Sequence, residues 1–501
     1  MTTLRVRHLD EPLVELGSGT ATTIKEGLAQ HGPYSLRLGP AHPTTVRVGL
    51  VGTDASVSGA RSFLKRCAAR IPSGRPSRLL APDFPGFETV MHASLALDPI
   101  WEWTIDQDTV GKALDAPPRR AFEICLELWA RGVHELAERD ARPDVIVCAL
   151  PKELLDRCAH VEQSRPHNRR AKQSSARSRR RRRTSGEQLL LFDPAQGTIE
   201  AASQPLPEDL VRRDFRRALK AAAMDARLPI QIATPNLYEE GLRGQQDPAT
   251  RAWNLSVGLF YKAGGIPWRV QATAEHTCFV GISFHHLRTT TTHLVFSSLA
   301  QAFSSEGEGF ALRGEALPWD AEDRRPHLGE QQAHDLLLKV VKVYKERLGR
   351  NPVRIVIHKT SAFTAEERAG ARRALSAIPV VEMESLHSTE FRLLRQGTYP
   401  PHRGSLCGLE QASFLYTTGY SPQRGTYDGP HVPAPLEIIG PREEQTEVAA
   451  GEVLALTRMN WNSSDDHTAF PISLAFARKV GLIMSEVPLD QEPHPLYRFY
   501  M

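Results

Sequence analysis

Along the first half of the chain, apolar runs of strand length alternate with segments of helical period. VRVGLVG (Val46 to Gly52) is nearly continuous in apolar residues, and a Ser-rich turn leads from it into a helix predicted over Ser58 to Arg70. DVIVCAL (Asp144 to Leu150) repeats the pattern and is followed by Pro151 and the helical KELLDRC. Between the two strands, Arg119 to Glu138 places Phe122, Cys125, Leu126, Trp129 and Val133 on one face of a helix. Further on, Glu208 to Arg227 has helical composition and LPIQIA (Leu228 to Ala233) reads as a short strand. Trp253 to Tyr261 reads as a buried helix that Gly264 and Gly265 end. Alternation of this kind predicts an α/β layer with mostly parallel strands.

The second half repeats the alternation with longer strands. CFVGISF (278–284) and TTTHLVFSSLAQAF (290–303) read as adjacent strands joined by a short turn, after the shorter IPWRV. A helix from Gln331 to Leu348 leads into VRIVIHK (353–359), another buried strand, and then come a helix from Glu366 to Leu375 and the strand VVEMESL. Short strands are predicted between Gly404 and Tyr420, and a helix from Pro471 to Ser485. No repeat of fixed period appears. Two α/β parts, 1–265 and 266–501, account for the pattern with fewest assumptions, and a length of 501 residues also exceeds what one core ordinarily serves.

Composition narrows the class. A hydrophobic fraction of 41% supplies a core, while 36 Pro and 35 Gly exclude a long helical rod. Every apolar run is far shorter than the roughly 20 residues that cross a bilayer. The opening MTTLRVRHLDEPLVEL carries charges where an export signal needs an unbroken apolar segment. Six Cys without regular spacing suggest neither a disulfide framework nor a zinc cluster, so a reducing, cytoplasmic setting is expected.

The formal charge of +4 is local in origin. Ten Arg and Lys and no acidic residue lie between Gln163 and Gly186, and without that window the chain is at about −6. The window, inside an excursion at 163–205, fits a solvated low-complexity loop, a nonspecific attraction for nucleic acid centred on Arg179, Arg180, Arg181, Arg182 and Arg183, or a targeting signal.

Motifs for nucleotide hydrolysis, zinc proteolysis and serine hydrolysis are absent. His285 and His286 are adjacent, so in a strand they point to opposite faces and do not share a metal. Asp465, Asp466 and His467 fit a solvated turn or a divalent-ion site. The helix around Arg216 is more informative, because Arg216 and Lys220 lie four apart on one face. With Gln231 on the next strand and Lys262 at the end of the next helix, they combine cationic groups and a directional amide, the mixture that a terminal phosphate requires. An ordinary basic helix face explains the same residues.

Several blocks in order, WNLSVGLFYKAGGIPWRV (253–270), FVGISF (279–284), VRIVIHKTSAFTAEE (353–367), RQGTYPPHRG (395–404) and LALTRMNWN with FPISLAFARKVG, resemble those of short prokaryotic Argonautes over roughly 205–490. The resemblance implies a Rossmann-like MID domain followed by a ribonuclease-H-like PIWI domain, with the polybasic excursion inserted in MID. It implies a guide 5′-phosphate pocket in which Lys220, Gln231 and Lys262 match the two lysines and the glutamine of the family, and Arg216 a position held by a ring or a base. A further pocket lysine of many relatives is Gly258 here. The C-terminal carboxylate of Met501 is implied to lie nearby with a bound Mg²⁺.

An active PIWI site holds two divalent ions with closely placed carboxylates. At the matching positions this chain has Ser283 and Thr360, with Lys359 beside the latter, and neither hydroxyl replaces a charged ligand. The resemblance therefore implies a catalytically inactive chain. It would bind guide RNA and complementary single-stranded DNA of invading plasmid or phage. It would then activate a separate APAZ-domain effector, either NAD-depleting (TIR or sirtuin-like) or a nuclease, as a heterodimer and, on target binding, as a higher oligomer. An autonomous guide-dependent endonuclease and a general RNA- or DNA-binding scaffold are the alternatives.

Overall fold

The computed structural model describes residues 4–74, 81–162, 212–271, 276–286, 295–304, 309–318, 326–394, 400–409, 412–427, 432–488 and 491–501. The polybasic window, including Arg179 to Arg183, lies outside them.

The first unit is built on a parallel sheet. Thr45–Thr53 lies at its centre, flanked on one side by Val145–Ala149 and then Ile230–Ala233, and on the other by Ser94–Ala96 and Glu102–Ile105, which pair with its two halves in turn. The chain therefore reverses its direction of travel across the sheet between Thr45–Thr53 and Val145–Ala149, as in Rossmann-like folds. Thr53 ends the central strand and caps the helix Asp54–Arg66, its side chain accepting from the Ser56 amide. The Ser-rich stretch read as a turn is thus the first turn of this helix. Helix Pro118–Ala137 buries Phe122, Cys125, Trp129 and Val133 against the sheet, while Leu126 sits at the margin.

The excursion leaves and returns through a two-stranded neck, His160–Glu162 paired with Arg212–Asp214. Its second strand replaces the start of the helix predicted from Glu208. That helix begins only at Phe215, where Asp214 accepts from the Arg217 amide, and ends at Ala222. Arg213 holds the neck down: it is buried, ion-paired to Glu123 and Glu486, and its guanidinium lies 4.7 Å from the Phe122 ring centre.

The second unit contains a nine-stranded sheet. Thr277–His286, Val295–Ser304 and Gly309–Pro318 form an antiparallel meander, Arg354–Lys359 adds in parallel to the first of these, and Val380–Ser388 adds in parallel to Arg354–Lys359. This order, with helices Glu330–Leu348 and Ala365–Ala374 as crossovers, is ribonuclease-H-like. Leu436–Ile439, Ala412–Leu415 and Ser405–Leu409 extend it. The helix predicted over Pro471 to Ser485 breaks at Phe476 into Ile472–Ala475 and Ala477–Met484.

The strand Leu4–His8, placed with the first unit in the sequence reading, pairs with Ser405–Leu409 and forms the sheet's last strand. Arg269–Val270 likewise pairs with Val14–Glu15, which pairs with Thr20–Ala21. The division at 265/266 is therefore crossed twice near the N-terminus, and one apolar cluster runs from Val46 and Phe84 through Trp253 and Trp268 to Trp461, Tyr497 and Met501. Partners some 400 residues away leave no trace in local periodicity. Among the described residues no helix is long and apolar enough to cross a membrane, and all six cysteines are free and buried.

Candidate nucleic-acid site

Three elements and the C-terminus converge on one polar pocket. Helix Phe215–Ala222 brings Lys220, strand Ile230–Ala233 brings Gln231, and helix Pro248–Lys262 ends in Lys262. Lys262 is buried and its ammonium donates to Gln231 Oε1. Lys220 Nζ donates to the main-chain oxygens of Tyr500, at 3.2 Å, and of Met501. Met501 reaches the pocket because the single turn Tyr497–Phe499 packs Tyr497 and Phe499 into the core beside it. Arg216 remains outside this bonded set; it is exposed and has no hydrogen bond or ion pair among the described residues.

Electrostatics give the pocket its chemical demand. Burial, the charge of Lys479 and, against them, Asp214 bring the Lys220 ammonium down to about 8. Burial and then the charge of Lys220 push Lys262 well below its ordinary value. Two ammonium groups that repel one another in a desolvated place favour an incoming anion. Lys479, on helix Ala477–Met484, was not singled out from sequence although it lies in the block FARKVG; its ammonium sits 4.9 Å from the Phe476 ring centre. Gly258 is also part of the pocket wall, since a Cβ there would meet only Gln231 Oε1, at 3.7 Å.

The depressed Lys220 pKa has a consequence for the free protein. Between the folded value of about 8 and the unfolded value near 10.5 the unfolded chain binds more protons, so stability rises with pH across that window and the cost of the buried charge is fully present below it. Thermal melts of wild type are expected to gain stability from pH 8 to 10 relative to Lys220→Met, which lacks the titrating group. Parallel profiles would contradict the assignment.

The Met501 oxygen expected to hold Mg²⁺ is already engaged by an ammonium group, and the charges acting around it are Lys262, Lys479 and Asp214. This donor set does not by itself fit a divalent cation.

A second constellation lies at the carboxyl ends of the central strands of the larger sheet. Ile282 pairs with Lys359, so Ser283 and Thr360 are the next residues along two neighbouring parallel strands. Ser283 Oγ is buried without a hydrogen-bond partner, and Thr360 is exposed just beyond its strand. Lys359 is buried between them and the helix Ala365–Ala374: its ammonium donates to Glu367 and contacts His327 Nδ1 at 3.1 Å, and burial outweighs Glu367 in lowering its pKa. Glu367 in turn accepts from the amides of Leu328 and Thr364, so its carboxylate is committed to capping.

Asp465 and Asp466 are not both solvated. Asp466 is buried, accepts from the Ile24 amide at 2.6 Å at the start of helix Ile24–His31, and pairs with Arg424, whereas Asp465 binds Ser463 Oγ. His467 beside them is held well below its usual pKa by burial and by Arg403, Arg424 and Arg458. Among the described residues no group of three or more His, Cys, Asp or Glu is placed to share a metal ion.

No protein-family model and no curated protein sequence matches the chain. Solved structures do. The Argonaute of Clostridium butyricum, bound to a guide DNA with a 5′ deoxycytidine and a 19-mer target DNA, superposes with a TM-score of 0.62 over 99% of this chain and 54% of its own, at 13% identity. The Argonaute of Aquifex aeolicus gives 0.53 over 98% and 55%, at 14% identity, and Drosophila Piwi gives 0.53 over 99% and 56%, at 12%.

The fold is Argonaute-like.

The parallel unit is the MID-type layer and the nine-stranded unit the PIWI-type layer of that architecture, and the chain spans about half the length of the Argonautes it matches. In Argonaute terms, the lysine pocket lies where the MID-type layer meets the C-terminus of the PIWI-type layer. Ser283 and Thr360 lie at the carboxyl ends of the PIWI-type strands.

Proposed function

We propose that this chain is a guide-dependent nucleic-acid sensor of the short Argonaute type, binding the 5′-phosphate of a guide RNA and, through the guide, complementary single-stranded DNA. The observation that carries this reading is the pair of mutually repelling, desolvated lysines, Lys220 and Lys262, with Gln231 bonded to one of them. A phosphate relieves the repulsion, accepts from both ammonium groups and leaves the amide to fix its orientation. Arg216, exposed one turn before Lys220, is assigned to the next backbone phosphate. Lys479 supplies a further charge from the second unit. The polybasic window, with Arg179 to Arg183, adds salt-sensitive affinity and no sequence readout, because flexible arginines meet phosphates and not base edges.

The same reading makes the chain a non-slicing subunit. Two-metal hydrolysis needs charged oxygen ligands where Ser283 and Thr360 stand, and Glu367, which accepts from Lys359 beside Thr360, is committed to that lysine and to backbone amides. Incubation of the guide-loaded protein with a complementary target and Mg²⁺ or Mn²⁺ is expected to yield no product at a fixed distance from the guide end. Single-turnover cleavage abolished by mutating another carboxylate of the second unit would overturn this.

Output then belongs to a separate cytoplasmic APAZ-domain effector bound as a heterodimer, which assembles further on target recognition and acts in immunity against plasmid or phage. Any Mg²⁺ at Met501 would arrive with the guide phosphate, whose oxygens would add to that of Met501. The test is to assay the protein co-purified with the APAZ-domain product of a neighbouring gene for NAD loss and DNA degradation, with guide alone, target alone, and both. Activity is expected only with both strands, because a ligand shifts a conformational equilibrium only by favouring one state. Equal activity in all three conditions would defeat the sensor reading.

A further inference from the structure

A cleft of about 990 Å³ opens on the second unit, from the amino end of strand Arg354–Lys359 along strand Val380–Ser388 as far as Glu384. Helices Ala365–Ala374 and Thr446–Leu456 flank it, and the turn at Gly440 and Pro441 closes one end. Its floor is already neutralised in part: Arg354 donates to Glu382 at 2.8 Å and to Glu452 at 2.5 Å and 2.9 Å. Part of its wall is apolar, and Glu384, 3.3 Å from His358, also lines it. Leu375 and Ile378 are buried, but Val380 and Val448 are 41% and 51% exposed to water.

The lining also includes three arginines, Arg368, Arg372 and Arg442, none of which has a carboxylate partner among the described residues. Arg368 rests on the Phe363 ring, with 5.7 Å from guanidinium carbon to ring centre. Their freedom is not general to the region, since Arg373 on the same helix pairs with Glu330 at 2.7 Å. Unpaired guanidinium groups beside exposed valines form a surface that is both cationic and apolar, a combination that bare solvent satisfies poorly.

We propose that this cleft docks an acidic, apolar segment of a second protein, its apolar side chains against Val380 and Val448 and its carboxylates on Arg368, Arg372 and Arg442. The inference deepens the proposed function, because it rests on that reading for the existence of a protein partner. Nucleic acid is the less suitable occupant on chemistry, because its phosphates would meet the arginines and leave Val380 and Val448 uncovered. The lining runs from Arg354 and Val380 as far as Glu384, which pairs with His358 two residues before Thr360, and it includes neither Ser283 nor Thr360.

Two arms test the proposal. In the first, fluorescence anisotropy follows a labelled twelve-residue peptide of alternating glutamate and leucine pairs, with controls in which lysine replaces glutamate or serine replaces leucine. Wild type is expected to prefer the acidic, apolar peptide at least about ten-fold over both controls, and Arg368→Glu/Arg372→Glu/Arg442→Glu and Val448→Glu, all at exposed positions, are expected to remove that preference while guide binding is unchanged. Absence of a preference, or competition by a single-stranded DNA that the triple variant no longer binds, overturns the proposal. In the second arm the triple variant is co-purified with the neighbouring APAZ-domain protein. Loss of the complex supports docking in the cleft. Retention of the complex overturns the cleft as the interface and leaves the partner reading intact. If wild type itself forms no such complex, the partner reading falls and the peptide arm alone decides the cleft. A concentration-dependent dimer of the free chain that the triple variant abolishes overturns it in favour of a second copy.

Discussion

Lys220→Ala/Lys262→Ala is expected to abolish the preference of this chain for a 5′-phosphorylated over a 5′-hydroxyl guide RNA. Each ammonium group makes a charge-assisted contact in a desolvated place, and such contacts contribute about 1.5–3 kcal/mol apiece. Because the two lysines repel each other, their effects are not additive, and losing both is expected to cost phosphate discrimination of about 3 kcal/mol, a hundredfold or more. The hydroxyl guide should bind the double variant nearly as it binds wild type, since only the terminal group is read here. The ratio of the two affinities, measured by filter binding at fixed salt, separates this pocket from a general positive field, which would weaken both guides alike. Equal phosphate preference in wild type and variant would remove the pocket from the mechanism. Gly258→Lys is the converse change: the wall has room for its Cβ, and a third cation is expected to tighten only the phosphorylated guide.

What could be read from sequence follows from how local each feature is. The central strands and their crossover helices were legible because Val46 to Gly52, Asp144 to Leu150 and Val353 to Lys359 are apolar runs with nothing to match in register except a neighbouring strand. Lys220, Gln231 and Lys262 were legible as a pattern, and the hydrogen bond between two of them and the charge coupling between the lysines are features of the fold. Lys479 and the main-chain oxygens of Tyr500 join the same pocket from the far end of the chain, where no spacing argument reaches. The strand Leu4–His8 has every residue exposed, so it carries no apolar face by which to announce its sheet. Asp466 was ambiguous for a different reason: an acidic turn looks the same in sequence whether water, a metal, or a helix amide and an arginine satisfies it.

That last group belongs to the network that ties the N-terminal segment to the second unit, and it yields the largest expected effect on stability. Arg458 is fully buried; it donates to Glu11 at 3.0 Å, to the Pro12 oxygen at 2.7 Å and to the Thr22 oxygen at 2.6 Å. Burial lowers its pKa to about 10, partly restored by Glu11, so it remains charged at neutral pH. Burial alone would raise Glu11, but Arg403 and Arg458 together carry it below its ordinary value. Arg458→Ala removes one cation from this set and leaves two carbonyls without donors, and breaking a buried ion pair from one side typically costs about 3–5 kcal/mol. The expected result is a loss of that size in denaturant unfolding. Hydrogen exchange should accelerate first in Leu4–His8 and Ile24–His31, because Glu11 and Thr22 are the points at which Arg458 holds the intervening chain. Arg458→Lys should recover only part, since one ammonium does not span the three acceptors that the guanidinium fork reaches. A pH series adds a sign: with Glu11 lowered in the folded state, its contribution is present above its unfolded value near 4.5 and is lost as pH falls through the folded value, and Arg458→Ala should diminish that acid dependence. A variant less than about 1 kcal/mol below wild type, with unchanged exchange in the N-terminal segment, would show that this segment is held by its strand pairing and apolar contacts, and not by the buried arginine.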